Sequence, residues 1–224
     1  MSSAPNFNRL AGPYRWLEYA TFGPWLSWAR SAFLPQLSAC RHGLVFGDGD
    51  GRFTARLLRA NTDIHIDAVD ASPAMLSALV RRAGPHHARR VRTQLADARA
   101  WQPNSRRSSD RPYDAIFTHF FLDCLTTEEV QSLAATVRNV AAPSAVWVVS
   151  DFAIPPGWFG STVTRPLIWA LYRAFGWLTD LGVRNLPDHH SALGATGFIL
   201  HDRRTWLGGL LASELWCSAP ANRP

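Results

Sequence analysis

From Pro13 to Leu34 apolar residues recur at helical spacing: Trp16, Leu17 and Ala20, then Trp25, Leu26, Trp28, Ala29 and Phe33. Gly23-Pro24 divides this stretch into two helices, because proline suits the first turn of a helix and not its interior. Pro35 closes the second helix. The rhythm then changes to short apolar runs that alternate with helical patterns. Strands are predicted at 43–46, 64–69, 91–95, 114–118 and 145–149, where apolar or alternating runs are bounded by turn residues. Helices are predicted between them at 52–60, from Pro73 to about Arg82, and at 127–140. Ser72 and Thr126 or Thr127 are placed to cap the last two. Glu128 and Glu129 fall in a first turn, where the helix dipole favours anions.

Beyond the fifth strand, 154–161 breaks the pattern. Helices are predicted at 164–178 and 187–195. Two strands follow, 198–206 and 210–217, joined by Gly208-Gly209, a hairpin signal. Five strand–helix units followed by a hairpin predict a Rossmann-like, doubly wound α/β fold. Its seven-stranded sheet is mostly parallel, with a C-terminal antiparallel hairpin and helices on both faces. The whole chain, 1–224, reads as one domain: N-terminal helices (1–36), the half built of strand–helix units (37–152), and later helices with the hairpin (153–224), the last expected on the ligand side. Such sheets take ligands beyond the carboxyl ends of their strands, so the turns after strands one to five are where chemistry is expected.

Composition narrows the classes. A hydrophobic fraction of 47% and a charged fraction of 18% are those of a globular chain and exclude wholesale disorder. The net charge is +6, but all 23 basic residues are Arg, as expected of a GC-rich coding sequence. The one dense basic cluster is Arg81, Arg82, His86, His87, Arg89, Arg90 and Arg92, read as a solvated loop. Cys40, Cys124 and Cys217 stand apart with no C-x-x-C pair, which fits a reducing cytoplasm and neither zinc nor redox work. The most apolar stretch, 166–172, is far short of a membrane span. No signal peptide is evident at the N-terminus.

The turn after strand one is Gly47-Asp48-Gly49-Asp50-Gly51. Glycines there let backbone N–H groups approach a ligand at a helix start. The dinucleotide fingerprint G-x-G-x-x-G would need glycine where Arg52 stands. Two aspartates in the turn repel pyrophosphate and suit a cationic ligand, and a nicotinamide oxidoreductase is disfavoured. A calcium loop lacks its later ligands. Asp70, ending strand two, can accept both ribose hydroxyls of a nucleoside. Asp97, after strand three, can accept an exocyclic amino group such as that of adenine.

These segments resemble the class I S-adenosylmethionine-dependent methyltransferases. LVFGDGDGRF is similar to their glycine motif, AVDASPAML to the acidic loop, LADA to the adenine-contacting segment and YDAIFTHFFLD to the fourth-strand motif. The opening FNRLAGPYRWLEYATFG resembles the lead-in helices of the ubiquinone/menaquinone methyltransferase-like branch. The resemblance implies S-adenosyl-L-methionine as cofactor and S-adenosyl-L-homocysteine as product. It implies a cofactor site of Gly47, Asp48, Gly49, Gly51, Asp70, Ala71, Met75, Asp97, Ala98 and Thr118. One position departs: the family carries an acid two residues before the first glycine, where this chain has Val45, and Asp48 or Asp50 is the expected substitute.

Methyl transfer needs a base only where the acceptor carries a proton. His119, ending strand four, is the expected base or substrate ligand, against a packing role among Phe117, Phe120 and Phe121. Asp123 is placed to orient its ring or bind substrate. Asp151 after strand five and Tyr14, which can close over the methyl group, complete the candidate catalytic set. His189 and His190 have no third or fourth ligand at metal spacing, so they read as solvated, with no metal site. The aromatic residues between Pro155 and Leu178 suggest a lid over a small apolar or aromatic acceptor, set against simple packing on the sheet. The amine-methylation motif of nucleic-acid enzymes is absent after strand four, so nucleic acid is disfavoured. The expected protein is a cytoplasmic monomer or homodimer acting on a small molecule, with peripheral membrane contact if that molecule is lipid-like. The alternatives are an RNA-modifying methyltransferase that uses the Arg81–Arg92 cluster, and a non-catalytic cofactor-binding regulator.

Overall fold

The computed structural model describes residues 23–103, 111–158, 160–169 and 186–219. Tyr14, the first predicted helix and most of 164–178 lie outside them. Seven strands form one sheet in the order β3-β2-β1-β4-β5-β7-β6. They are β1 (His42–Phe46), β2 (His65–Asp70), β3 (Val91–Leu95), β4 (Tyr113–His119), β5 (Ala141–Phe152), β6 (Phe198–Trp206) and β7 (Leu211–Ser218). The first five pair in parallel. β7 runs antiparallel to both β5 and β6.

The helices divide between the faces. On one face lie α1 (Trp25–Ser31), α2 (Arg52–Ala60) and α3 (Pro73–Ala88). Phe53, Leu57, Leu58, Leu76 and Leu79 pack there on Val45, Ile66, Phe117 and Val148. On the other face α4 (Thr127–Arg138) and α5 (His189–Ala195) bring Leu133, Val137, Ala192 and Leu193 onto Leu44, Phe46, Ile116, Trp147 and Val149. β1, β4 and β5 are therefore buried on both sides, which is why their sequences run apolar without alternating.

Local chemistry sets the element ends. Thr126 and Glu129 form a reciprocal capping box at α4, satisfying two backbone donors that would otherwise lack partners. Ser72 accepts from the Met75 N–H at the start of α3. α3 continues past the expected Arg82 to Ala88, interrupted at Gly84, whose φ of 76° and ψ of 166° are not helical, before Pro85. β5 is longer than its apolar run: Ala141 pairs with Tyr113 at the start of β4, and the register shifts before Val146 pairs with Ala115.

Candidate active site

Three strand ends meet at one edge of the fold. The Gly47 N–H donates to the Val69 carbonyl, and the Ala96 N–H to the Asp70 carbonyl, both across 3.0 Å. The glycine turn, Asp70 and the Asp97 segment thus lie side by side. Gly47, Gly49 and Gly51 all have positive φ, 62°, 59° and 80°, a region costly for other residues. Their surroundings differ. At Gly47 a Cβ would fall into the Phe121 ring, and at Gly51 it would lie 2.6 Å from the Leu79 Cα. These two glycines are required by packing. Around Gly49 nothing lies within 4 Å of such an atom, so this backbone is open to a ligand.

The turn's acids have separate tasks. Asp48 accepts the Thr54 N–H at 2.8 Å and so fastens the turn to α2. Burial nevertheless pushes its carboxyl pKa up. Asp50 is engaged by the Arg82 and Arg52 guanidinium groups, at 2.7 and 3.2 Å, and is not a substitute for the missing acid at Val45. Val45 itself is buried in the core. Asp70 accepts the Ser72 N–H at 2.8 Å. Burial, with a smaller contribution from Asp48, raises its pKa from 3.8 to about 6. A buried, incompletely stabilised carboxylate is suited to an incoming hydroxyl or cation. Ala71 is exposed and Met75 half-buried beside it.

Three expectations change. Asp97 is already clasped by Arg99, with contacts of 3.0 and 2.6 Å, which hold its pKa down. Half-buried Ala98 lies beside that pair. Thr118 is fully buried and accepts the Trp147 indole N–H at 2.9 Å, so it faces the core beneath α4. His119 is 3% exposed and turns to the opposite face. Its Nδ1 pairs with Ser150 Oγ at 2.9 Å, and its ring lies 4.2 Å from that of Phe53. Burial lowers its pKa from 6.5 to about 3, so it is neutral at ordinary pH. A neutral ring sealed among Phe53, Phe117 and Ser150 packs the core and is poorly placed to take a substrate proton.

Asp123 and Asp151 do come together. β4 ends at His119, and the next residue, Phe120, has a φ of 52° in the left-handed region. That reversal leads into the turn Leu122–Cys124 and brings Asp123 onto the end of β5, where its N–H donates to Asp151 Oδ2 at 3.2 Å. Both carboxyl pKa values are raised, by burial first, and that of Asp151 further by the charge of Asp123. Two buried carboxyl groups this close hold a proton between them, because both cannot ionise cheaply.

Beside Asp151 opens a cavity of about 240 Å³, lined among the described residues by Val149, Asp151, Phe152, Ile154, Leu186, His189, His190, Arg203 and Glu214. Here the sequence reading missed a partner. His189 and His190 are not simply solvated: both Nε2 atoms reach Glu214, at 3.0 and 2.9 Å. Glu214 is a lone acid in the apolar run LASELWCS, and that isolation was the available signal of a buried, partnered carboxylate. Of the expected aromatic lid, Trp158 and Trp169 are strongly exposed and Ile168 is buried against Leu26 and Leu211. Tyr172, Phe175 and Trp177 lie outside the described residues.

The basic cluster is partly consumed by the fold. Arg82 binds Asp50, and Arg90 donates to the carbonyls of Asn61, Ile64 and Leu58 at 2.8, 3.2 and 2.7 Å. Neither is a free phosphate contact.

Residues 44–147 match the family described as a methyltransferase domain. Among solved structures the chain is similar to an O-methyltransferase family protein from Burkholderia thailandensis, with a TM-score of 0.70 and 12% identity over 97% of this chain and 62% of that one. It is similar also to the mitomycin 7-O-methyltransferase MmcR, with a TM-score of 0.69 and 15% identity over 97% of this chain and 61% of that one. The N-methyltransferase NodS from Bradyrhizobium japonicum WM9, solved with S-adenosyl-L-homocysteine, gives a TM-score of 0.59 and 15% identity over 86% of this chain and 87% of that one. The chain thus spans less than two thirds of the first two. No curated protein matches it. Residues 44–147 thus carry a methyltransferase domain, and the fold is that of the class I S-adenosylmethionine-dependent methyltransferases. S-adenosylmethionine is the cofactor of that class and S-adenosylhomocysteine its product. Among the described residues no helix is long and apolar enough to cross a membrane.

Proposed function

We propose that this chain transfers a methyl group from S-adenosylmethionine to a small acceptor held in the cavity beside Asp151. The observation that carries the reading is the juxtaposition at one sheet edge: an open glycine turn at Gly49 beside Asp70, and a closed carboxyl pair next to a cavity. When bound, the cofactor supplies an activated methyl group on a sulfonium. Asp70 would hold the ribose hydroxyls, the backbone at Gly49 the amino-acid part, and Ala71, Met75 and Ala98 the base. The carboxylates of Asp48 and Asp70 favour a cationic ligand by charge. Asp151, paired with Asp123, takes the proton released by a hydroxyl or amine acceptor as the new bond forms. Rate comes mainly from alignment.

The acceptor is small, because the cavity is, and partly apolar, because Val149, Phe152, Ile154 and Leu186 line it. The resemblance of the opening segment to the ubiquinone/menaquinone-like branch supports the same class. The engagement of Arg82 and Arg90 within the fold argues against RNA as acceptor. The test is release of S-adenosylhomocysteine from labelled S-adenosylmethionine across a panel of phenols, amines and small quinols. Turnover on folded RNA and none on the panel would reject the small-molecule reading.

A further inference from the structure

Two consecutive residues on an α-helix point about 100° apart. His189 and His190 open α5, yet their side chains converge, with ring centroids 4.7 Å apart and both Nε2 atoms on the two oxygens of one carboxylate, Glu214. The three ligand atoms lie within 4.8 Å of one another. Glu214 comes from the middle of β7 and is 2% exposed. The Trp216 indole N–H holds its Oε2 at 3.0 Å, the kind of outer contact that fixes a ligand's orientation. The same three side chains line the cavity beside Asp151. We propose that His189, His190 and Glu214 bind a divalent first-row cation of the zinc type at the wall of this cavity.

The donor set argues for that class. Two imidazoles and one carboxylate suit zinc and its neighbours, and are poor for calcium or magnesium, which take oxygen ligands. Three protein ligands leave at least one coordination position, here on the side of the cavity. Glu214 is already ionised: burial opposes its charge, but hydrogen bonds from both imidazoles overcome this and hold its carboxyl well below the usual range. A cation would take the place of the two Nε2 protons, each neutral ring then carrying its proton on Nδ1, and protonation of the rings in acid would compete with binding.

One group competes. Arg203 Nε lies 3.4 Å from Glu214 Oε1. Its side chain is 39% exposed, so it can withdraw to solvent. Its charge repels a metal ion, and its removal is expected to strengthen metal binding.

The test uses untagged protein, Zn²⁺ and Co²⁺ alone, and no methyl donor. Wild type is expected to take one equivalent of Co²⁺ with visible d–d absorption, to give it up to Zn²⁺, and to melt higher with Zn²⁺. Arg203→Gln should bind Zn²⁺ several-fold more tightly, and His190→Ala at least tenfold more weakly. His190 is half-exposed, so this variant should fold. His189→Ala/His190→Ala should lose the spectrum. Wild type that takes up no more metal than the double variant overturns the proposal, as does an Arg203→Gln variant that binds more weakly. The cavity's use as an acceptor site rests on the proposed methyl transfer, whereas metal uptake does not. A chain that binds metal but no S-adenosylhomocysteine would uphold this site and reject that function.

Discussion

The backbone N–H of Asp123 donates to Oδ2 of Asp151 across 3.2 Å, joining the turn after β4 to the end of β5. This bond links the two strands most central to the proposed chemistry. It also confines two carboxyl groups, 7% and 5% exposed, to one small volume.

Both carboxyl pKa values are raised above the ordinary 3.8. The stability they contribute is therefore present below that value and lost as pH rises through the folded-state values. Asp151→Asn removes this burden. Its melting temperature should exceed that of wild type at neutral pH, with the gap shrinking toward about pH 4. Turnover should fall roughly 10²–10⁴-fold if Asp151 takes the acceptor's proton. Thermal unfolding against pH and initial rates read the two effects separately.

Asp70 presents a similar conflict between stability and binding. Its folded pKa of about 6 means an ionised Asp70 strains the free protein at neutral pH. Asp70→Asn keeps an acceptor for the Ser72 N–H and removes the charge. It should stabilise the free chain by about 1–2 kcal/mol, less than the full value of the shift. It should also weaken S-adenosylhomocysteine by about 1–3 kcal/mol. Melting curves with and without ligand check both signs.

His119→Gln should leave turnover per folded molecule unchanged, because the ring is neutral and sealed from the cavity. Its pKa is lowered from 6.5 to about 3, so the stability it contributes is complete above about pH 6.5 and is lost as pH falls toward 3. The variant should therefore lack part of the acid destabilisation of wild type. A hundredfold loss of turnover in folded protein would return His119 to the catalytic set.

Gly51 and Gly49 should respond differently. Gly51→Ala drives a methyl group to within 2.6 Å of the Leu79 backbone and should cost more than about 2 kcal/mol of stability. Gly49→Ala meets open space and should cost only the left-handed penalty, about 1–2 kcal/mol, while obstructing the cofactor. Denaturant unfolding and ligand titration on both variants separate packing from binding.

The strands, the helices between them and the glycine turn were legible in the sequence because period and punctuation are local. α2 and β3 fall where the pattern put them. Side-chain direction was less legible. Thr118 and His119 are adjacent on β4, and pleating sends one beneath α4 and the other toward α1, a direction their shared position does not reveal. Asp97 is paired with Arg99, two residues on, a contact no motif announces. Glu214 was missed because the α5–β7 contact joins residues distant in sequence.

The most direct test of the account is calorimetry of the wild-type chain with S-adenosylhomocysteine and, separately, NAD. The account predicts one saturable site for S-adenosylhomocysteine, weakened in Asp70→Asn, and no heat from NAD. Binding of NAD with none of S-adenosylhomocysteine would contradict it.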